Sequence, residues 1–274
     1  RLAEEVGFTG LLYLCRDHGG PRKAHGEDAL TDDEAQIRAK ASLKADCKAG
    51  FDLAHLDFDA IGDADKRRTL TQAAMTICER YGVAYELDSL DDACPHTPHP
   101  TFMVGKTGPK LAQCKQIGAF NSFSAMPQAE TLHPLSIGLK EHNADYLEEE
   151  DLQAHAVAGV TAANVGPEFV HAEAGIFLAF ALNPPYEKCA AHVMAATLKA
   201  DRWGRWQPST TQELLLWGAH YAFSSPIVKD IRAYIRGGSR AVDGDGEPIT
   251  SDMLVDIEDF MLKTVKTAIS RFTV

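Results

Sequence analysis

Several common signatures of function are missing from this sequence. Its 274 residues include 27 Lys and Arg against 39 Asp and Glu, a formal net charge of -12. Nucleic-acid-binding domains usually present a basic face, so this balance argues against nucleic acid as a partner. No apolar run reaches the ~18 residues that a transmembrane helix needs, so we expect no membrane partner either.

Two cysteine patterns and one glycine pattern are also absent. The six cysteines are scattered, with no C-x-x-C pair, which argues against a zinc ribbon or a redox motif. Scattered cysteines without a secretory signal suit a reducing compartment, so we expect a cytoplasmic protein. No G-x-G-x-x-G follows a candidate strand, which weakens a dinucleotide-binding interpretation. The 45% hydrophobic content is enough for a sizeable core.

What is present is an alternation of strand-like and helix-like segments. Polar residues repeatedly follow the apolar part of each strand. This rhythm is typical of parallel βαβ units, and polar groups gather at the carboxyl ends of such strands in a (β/α)8 TIM barrel. We therefore predict an α/β fold of the TIM-barrel type. The predicted strands are 11–15, 53–60, 83–88, 101–108, 135–146 and 157–169, and the predicted helices between and after them are 32–49, 65–81 and 172–181.

The predicted domain organisation departs from a complete barrel. Six strands are two fewer than a barrel needs, and Arg1 falls inside a helix-like segment, so we expect two βα units upstream of it. The segment between Asp88 and Thr101 is too short and too rich in proline for a crossover helix. We assign 1–183 to barrel strands three to eight, and 184–274 to a helical C-terminal extension packed on the barrel. The helices predicted in that extension are 185–200, 209–223, 226–237 and 251–271.

The segment RDHGGP, at the end of the first visible strand, carries the clearest chemical signal. Neutral imidazole and carboxylate suit a divalent metal such as zinc, and a neighbouring carboxylate can transfer a proton. A metal that polarises a carbonyl acidifies the adjacent C–H, as aldol cleavage or sugar epimerisation requires. We predict His18 as a metal ligand and Asp17 as the proton-transfer group. Arg16 could reach a substrate phosphate or pair with an acid elsewhere.

A denser polar cluster, KEHNADY, follows the strand LSIGL. Burying so many polar groups without partners would cost about 1–3 kcal/mol each, which favours a functional role. We predict His142 as a metal ligand with Glu141 or Asp145 as its partner. Asn143 would bind a sugar hydroxyl.

Three further strand ends offer groups for a substrate. GKTG lacks the full phosphate-loop spacing, but Lys106 and Thr107 could hold a phosphate, or Lys106 could form a Schiff base. In NVGPE, Asn164 precedes a helix and could also hold a phosphate. Asp57 could bind sugar hydroxyls or orient His18. His55, in an otherwise apolar strand, is interpreted as a core histidine with satisfied hydrogen bonds.

Taken together, RDHGGP, HLD, EHNADY, NVGPEF and GAHYAFSSP resemble the family of the noncatalytic subunit of class II tagatose-bisphosphate aldolase, over roughly residues 8–235. The resemblance implies a TIM barrel in which Asp17 and His18 match the proton-transfer acid and zinc ligand of the catalytic aldolases. His142 matches one later histidine. GKTG stands where another histidine is expected, so either Glu86 or Glu141 completes the metal site or the site binds substrate without a tightly held metal.

These observations leave three hypotheses open. The first is an oligomeric, zinc-dependent enzyme that cleaves or 4-epimerises a ketose or ketose phosphate of the tagatose or fructose type. The second is a noncatalytic partner that stabilises a catalytic aldolase subunit, and the third is a Schiff-base aldolase using Lys106. For the first, the catalytic residues are Asp17 and Glu141, the metal ligands are His18, His142 and Glu86, and the substrate-binding residues are Arg16, Asp57, Lys106, Thr107, Asn143, Asp145 and Asn164.

Overall fold

The computed structural model describes residues 7, 9–24, 26–88, 100–181, 187–226 and 228–229. Contacts between Cα atoms divide the chain into two compact units. The first comprises the chain up to Thr107 with 122–142 and 156–163, and the second comprises 108–121, 143–155 and the chain from Asn164 onward. None of the described helices combines the length and hydropathy of a membrane span.

A parallel β-sheet organises the first unit. Its order is β1-β2-β3-β4-β7-β8, and every pairing within it is parallel. All six strands are short, and in the described residues a helix lies between successive strands of the sheet except between β3 and β4. The strands are β1 (Cys15–Gly19), β2 (Leu53–Leu56), β3 (Ala84–Leu87), β4 (Phe102–Gly105), β7 (Gly138–Glu141) and β8 (Val160–Ala163); β5 (Leu111–Ala112) and β6 (Lys115–Gln116) form a separate antiparallel hairpin.

The six-stranded sheet is strongly curled. In sheet order β7 is four strands from β1, which in a flat sheet would separate them by roughly 19 Å. The rings of His18 on β1 and His142 after β7 are nevertheless only 5.3 Å apart, centroid to centroid. Two imidazoles cannot bridge the flat-sheet distance, so the sheet curls into a half-barrel with these side chains on its concave face.

The two long helices of the first unit follow directly from local sequence signals. In α1 (Asp32–Ala49), Thr31 and Glu34 form a capping box, and Gly50 ends the helix in the left-handed conformation. Asp63 caps α2 (Ala64–Tyr81), and Gly82 ends it in the same way. The predicted helices 32–49 and 65–81 are therefore confirmed. The other described α-helices are α3 (Ser122–Leu132), α4 (Glu149–Val157), α5 (Pro167–Ala181), α6 (Glu187–Ala200) and α7 (Thr211–Gly218).

The apolar core of the first unit lies between the sheet and its helices. Alternate strand residues such as Leu56, Leu87 and Leu139 are fully buried there, as are Met75 and Cys78 of α2. Because neighbouring residues of a strand point to opposite faces, the polar residues between these positions face the concave side. This alternation is what brings charged groups together inside the curl.

The described part of the second unit is mainly helical, apart from the β5–β6 hairpin. Trp206, Trp217 and Cys114 form one buried cluster, with Leu216 and Tyr221 packed against it. Trp206 donates a hydrogen bond from Nε1 to the Tyr221 hydroxyl at 3.1 Å. The two tryptophans therefore belong to the apolar core of this unit.

Two expectations about the strands need comment. The prediction of a buried strand at 11–15 is wrong, because β1 begins at Cys15 and the apolar residues before it are exposed to solvent. Leu11, for example, is 82% exposed. The polar segment CRDHG is the part that pairs with β2. β3 and β4 are parallel neighbours, although the linker segment 89–99 lies outside the described residues.

Closure into a complete barrel, two βα units before Arg1 and a domain boundary at 183 remain predictions. The residues next to that boundary, 182–186, lie outside the part of the chain that the structure describes. The predicted helices 226–237 and 251–271 lie almost entirely outside it as well.

Candidate active site

A bulge in β1 positions the Asp17–His18 pair. Arg16 pairs with Ala54 of β2 and Gly19 pairs with Leu56, so Asp17 and His18 together stand opposite the single residue His55. His18 has a positive φ of 45°, a conformation that histidine adopts more readily than most residues. A bulge re-aims side chains next to it. Here it lets two consecutive residues face the same side, which a regular strand forbids.

The glycines after His18 allow β1 to pass close to the end of β2. A Cβ on Gly20 would lie 1.7 Å from the backbone oxygen of Asp57, a distance at which the two atoms would overlap. Only glycine therefore fits at this position. The Gly19 carbonyl accepts a hydrogen bond from the Asp57 amide at 3.2 Å. The Gly-Gly pair is therefore required by the close approach of two strand ends that carry polar side chains.

Three histidines converge at this point. The ring centroids of His18 and His55 are 4.6 Å apart, and that of His142 is 5.3 Å from His18 and 5.2 Å from His55. One nitrogen from each ring falls within a set of atoms that all lie within 4.8 Å of one another. His55 was interpreted from the sequence as a satisfied core histidine. It is fully buried, but neither of its nitrogens has a hydrogen-bond partner among the described residues.

His18 is oriented by a chain of charged groups. Its Nδ1 contacts Asp57 Oδ2 at 2.5 Å, and the same oxygen is 2.7 Å from Lys23 Nζ. Lys23 also contacts Asp59 Oδ1. A carboxylate on Nδ1 fixes the tautomer that leaves Nε2 as a lone-pair donor. Asp57 therefore orients His18, one of the two roles that its position in the sequence allowed.

Four carboxylates contact the nitrogens of the three histidines. Asp17 Oδ1 is 3.9 Å from both His18 Nε2 and His55 Nδ1, and Asp88 Oδ1 is 3.3 Å from His55 Nε2. Asp57 and Glu86 complete this group. Only two lysines, Lys23 and Lys140, contact these carboxylates among the described residues. Four carboxylates against two lysines leave net negative charge even when His55 is protonated, which favours a bound cation.

The pKa values follow from these contacts. Burial alone would lower the pKa of His55, but Asp17, Asp88 and Glu86 outweigh it and raise that pKa to about 9. Contact with His55, together with the charge of His18, lowers the pKa of Asp17 to about 2 despite its partial burial. Burial and the nearby positive charges lower the pKa of His142 to about 4. Asp17 is thus ionised and His142 is neutral near pH 7.

The donor atoms fit a divalent transition-metal ion. Three imidazole nitrogens are a common ligand set for zinc, with positions left open for water or substrate. His142 Nε2 is buried without a hydrogen-bond partner in the described part of the chain, and such an atom is costly unless it binds something. The His55 nitrogens lie 3.3–3.9 Å from carboxylates but outside hydrogen-bond geometry, so they too are available to a cation. His18, Asp57 and Asp88 form a second set within the same distance. Both sets lie in the first unit.

Glu86 and Glu141 do not contribute to either donor set. The Glu86 carboxylate Oε1 is 2.5 Å from Lys140 Nζ, which engages the group that we predicted as a metal ligand. Glu141 stands between Lys140 and His142, which both face the concave side. Strand alternation therefore places the fully buried Glu141 on the opposite face, away from the role of catalytic residue that we predicted for it.

Lys106 is held beside a cavity of about 630 Å³ in the first unit. Its amide donates to Gln128 Oε1 at 3.0 Å, and its carbonyl accepts from Ser124 Oγ at 2.8 Å and from Gln128 Nε2 at 3.0 Å. Lys106, Arg67, Asp88 and His142 all line the cavity, whose volume is typical of small-molecule sites. Thr107, the other predicted phosphate contact in GKTG, is buried and does not line it.

Several predicted substrate-binding residues are engaged elsewhere. The Arg16 guanidinium contacts Asp46 Oδ2 of α1 at 2.6 Å and Ser42 Oγ at 2.9 Å, so it pairs with an acid outside the cluster. The other three belong to the second unit. There the Asn143 carbonyl accepts a hydrogen bond from Gln116, the Asp145 carboxylate accepts two backbone amides, and the Asn164 carbonyl accepts the amide of Ala144.

Four residues at or beside the cluster were missed as site residues: His55, Asp88, Lys23 and Lys140. For three of them the sequence does contain a signal. His55 stands two residues before Asp57, Asp88 two after Glu86, and Lys140 two before His142, so each pair shares one face of its strand. Lys23 has no such signal, because it reaches Asp57 from a turn.

Comparison with known proteins gives a structural likeness only. No protein-family model matches the chain, and a search of curated proteins finds no match. The chain is similar to a crystal structure described as a probable tagatose 6 phosphate kinase from Sinorhizobium meliloti 1021. Identity is 18%, the match covers 99% of this chain and 84% of that one, and the TM-score is 0.68. At this identity the likeness shows a shared fold and nothing about activity.

Two further solved structures are more distant. The YdjI aldolase from Escherichia coli K12 is 16% identical over 90% of this chain and 74% of its own, with a TM-score of 0.42. A glycerol complex of fructuronate-tagaturonate epimerase UxaE from Cohnella laeviribosi is 11% identical. The match covers 98% of this chain and 69% of that one, with a TM-score of 0.48. Neither score is high enough to support an inference about this chain.

Proposed function

We propose that this protein is a metal-dependent enzyme that acts on a ketose or ketose phosphate, by aldol cleavage or by epimerisation at a carbon that bears a hydroxyl. The observation that carries the proposal is the convergence of His18, His55 and His142, with the Asp17 carboxylate 3.9 Å from nitrogens of two of them. A nearby cavity lined by Lys106 and His142 gives a small anionic substrate room to bind.

In this proposal the three histidines hold a divalent ion, with zinc the best match to the donor set. Such an ion would polarise the substrate carbonyl and so acidify the neighbouring C–H or O–H group. His18 is kept in the ligating tautomer by Asp57 and Lys23. His55 has a pKa raised to about 9, so its ligation would release a proton at neutral pH.

Asp17 is the proposed proton-transfer group. Its low pKa keeps the carboxylate ionised at neutral pH, and its side chain is 67% exposed, so a substrate hydroxyl can reach it. It would accept the proton of that hydroxyl as the C–C bond breaks and the hydroxyl carbon becomes an aldehyde. In an epimerisation the C–C bond would re-form on the other face of that aldehyde, and Asp17 would return the proton to its oxygen. Lys106 would bind the anionic group of the substrate.

The test is an assay of the purified full chain on a panel of ketoses, ketose phosphates and ketose bisphosphates. The protein is first stripped of metal with a chelator and then reloaded with Zn²⁺, Co²⁺ or Mn²⁺. We expect triose release or an epimeric product only after reloading, and a higher melting temperature with the active ion. Absence of turnover with every ion and every substrate would refute the enzymatic proposal.

Two other hypotheses receive less support. A noncatalytic partner of a catalytic aldolase rests on the sequence resemblance alone, and a complete three-histidine cluster is more than such a role needs. A Schiff base on Lys106 has no support from the geometry, since the contacts described clamp only its backbone. We do not propose a kinase, because GKTG lacks the spacing of a nucleotide-binding loop.

A further inference from the structure

A buried ion pair next to His55 has no role in the reaction proposed above. Lys140 of β7 is 9% exposed and Glu86 of β3 is 1% exposed, and their Nζ and Oε1 atoms are 2.5 Å apart. Lysine is almost never so buried unless it is paired. Glu86 Oε1 is also 3.4 Å from His55 Nδ1, so the pair is in contact with the three-histidine cluster.

Glu86 has unused capacity to bind. Its second oxygen, Oε2, is buried without a hydrogen-bond partner among the described residues. An ionised carboxylate accepts hydrogen bonds at both of its oxygens, so a buried carboxylate oxygen without a donor is costly in free energy. Even so, Glu86 belongs to neither set of donor atoms that lie within 4.8 Å of one another. A carboxylate suited to a metal ion thus stands beside the cluster and outside it.

The geometry points to Lys140 as the residue that sets the number of protein ligands at this centre, by holding the Glu86 carboxylate away from it. This inference rests on the proposed metal-dependent function. Catalytic centres keep coordination positions open for water or substrate. With Glu86 bound to Lys140, the three histidines remain the protein ligands, and a ketose can use the position that a fourth ligand would fill. Lys140 is therefore a positioning residue that acts through Glu86.

The variant Lys140→Met removes the ammonium and keeps the length of the apolar stem. Glu86 then has no counter-charge in the described surroundings except the histidine cluster, so we expect it to turn towards a bound ion and join the ligand set. Divalent-ion affinity should rise by about tenfold or more, the scale on which outer contacts change metal affinity. A conservative Lys140→Arg variant should keep the pair and behave as the wild type.

The measurement is a titration of the chelator-treated full chain with Co²⁺, followed by its visible absorption, with Zn²⁺ competition for affinity. Added oxygen ligation should shift the cobalt bands and weaken them as the coordination number rises. The control that isolates Glu86 is Lys140→Met combined with Glu86→Gln. That double variant should lose both the gain in affinity and the spectral change.

Each outcome decides a separate question. If the wild type binds neither Co²⁺ nor Zn²⁺, the proposed metal-dependent function fails. If the wild type binds but Lys140→Met has the same spectrum, or binds less tightly, the role of Lys140 is refuted while the metal centre stands. If the double variant keeps the tighter binding, Glu86 is not the cause of the gain in affinity, and the inference is again refuted.

Loss of folding in Lys140→Met can be separated from these results. Glu86 would be buried without its partner, which can unfold the apoprotein. The variant Lys140→Gln retains an amide donor for Glu86 without the charge, so it should fold and show an intermediate rise in cobalt affinity. An affinity equal to that of the wild type in a folded Lys140→Gln variant would count against the inference.

Discussion

Asp17 and His18 are consecutive residues, yet both face the same cluster. A one-residue bulge and a left-handed backbone at His18 make this possible. The pair was predictable from the sequence because an acid and an imidazole followed a strand-like run. The bulge was not, since an extra residue depends on how β2 pairs with β1. His55 was missed for a related reason, because an isolated histidine in an apolar strand more often belongs to a core.

Replacing Asp17 by Asn should abolish most of the proposed activity without unfolding the protein. Removing a positioned proton-transfer group typically lowers kcat by about 10²–10⁴-fold. The side chain is largely exposed and lies outside both donor sets, so the variant should fold and bind the metal ion, with only a small fall in urea midpoint from the lost charge beside His55. Asp28→Asn, at an exposed carboxylate in the short 3-10 helix Glu27–Ala29, is the matched control. An unaltered kcat in Asp17→Asn would remove Asp17 from the mechanism.

Gly20 should tolerate no side chain. A Cβ there would overlap the Asp57 carbonyl, so Gly20→Ala must displace the end of β1 or of β2. Overpacking of this kind costs about 1–3 kcal/mol of unfolding free energy, and the displacement should also weaken metal binding through His18. Gly62→Ala is the comparison, because nothing lies within 4 Å of its Cβ position. Equal urea midpoints for the two variants would contradict the close approach described here.

At the scale of elements, helices were easier to predict than strands. The ends of α1 and α2 are set by nearby residues, a capping box or Asp cap at the start and a left-handed glycine at the end. Strand limits depend on partners far along the chain, which is why the apolar residues 11–14 were assigned to a strand that in fact begins at Cys15. The alternation of polar and apolar residues along the strands was visible in the sequence. Which face of the sheet the polar residues occupy could not be assigned without knowing how the strands pair.

Asp145, predicted as a substrate-binding residue, stabilises the start of α5. Its Oδ1 accepts hydrogen bonds from the amides of Gly166 at 2.9 Å and Glu168 at 2.8 Å. Asp145→Ala should therefore lower the unfolding free energy of the second unit by about 1–2 kcal/mol, as loss of a helix cap does. Asp145→Asn keeps an accepting oxygen and should lose less. Urea unfolding measures both, and equal losses would argue against a capping role.

At the scale of the whole molecule, all three tryptophans lie in the second unit, so their fluorescence reports on that unit. This makes its stability measurable apart from the metal centre. Barrel closure and the predicted division at 183 could not be derived further from the sequence, because each depends on contacts between distant segments. The parallel sheet itself was predictable, since every βαβ unit carries its own local pattern.

Acid should destabilise the second unit through His171. Burial and the neighbouring His220 lower its pKa from 6.5 to about 4, so the unfolded chain binds this proton more readily. Stability should thus fall as pH drops from about 6.5 towards 4, by at most about 3 kcal/mol from this group. Tryptophan fluorescence in urea at several pH values measures it. His171→Gln should flatten the slope in that window, and an identical slope would contradict the assignment.

The curl of the sheet also has a consequence for folding. His18, His55 and His142 are distant along the chain and lie on strands that are not all neighbours, so they meet only after β3 and β4 have joined the sheet. Contacts between distant segments form slowly, because their loop entropy is lost before they contribute stability. The histidine cluster should therefore be among the last features of the first unit to form during refolding, and cobalt absorption would record that final step in time.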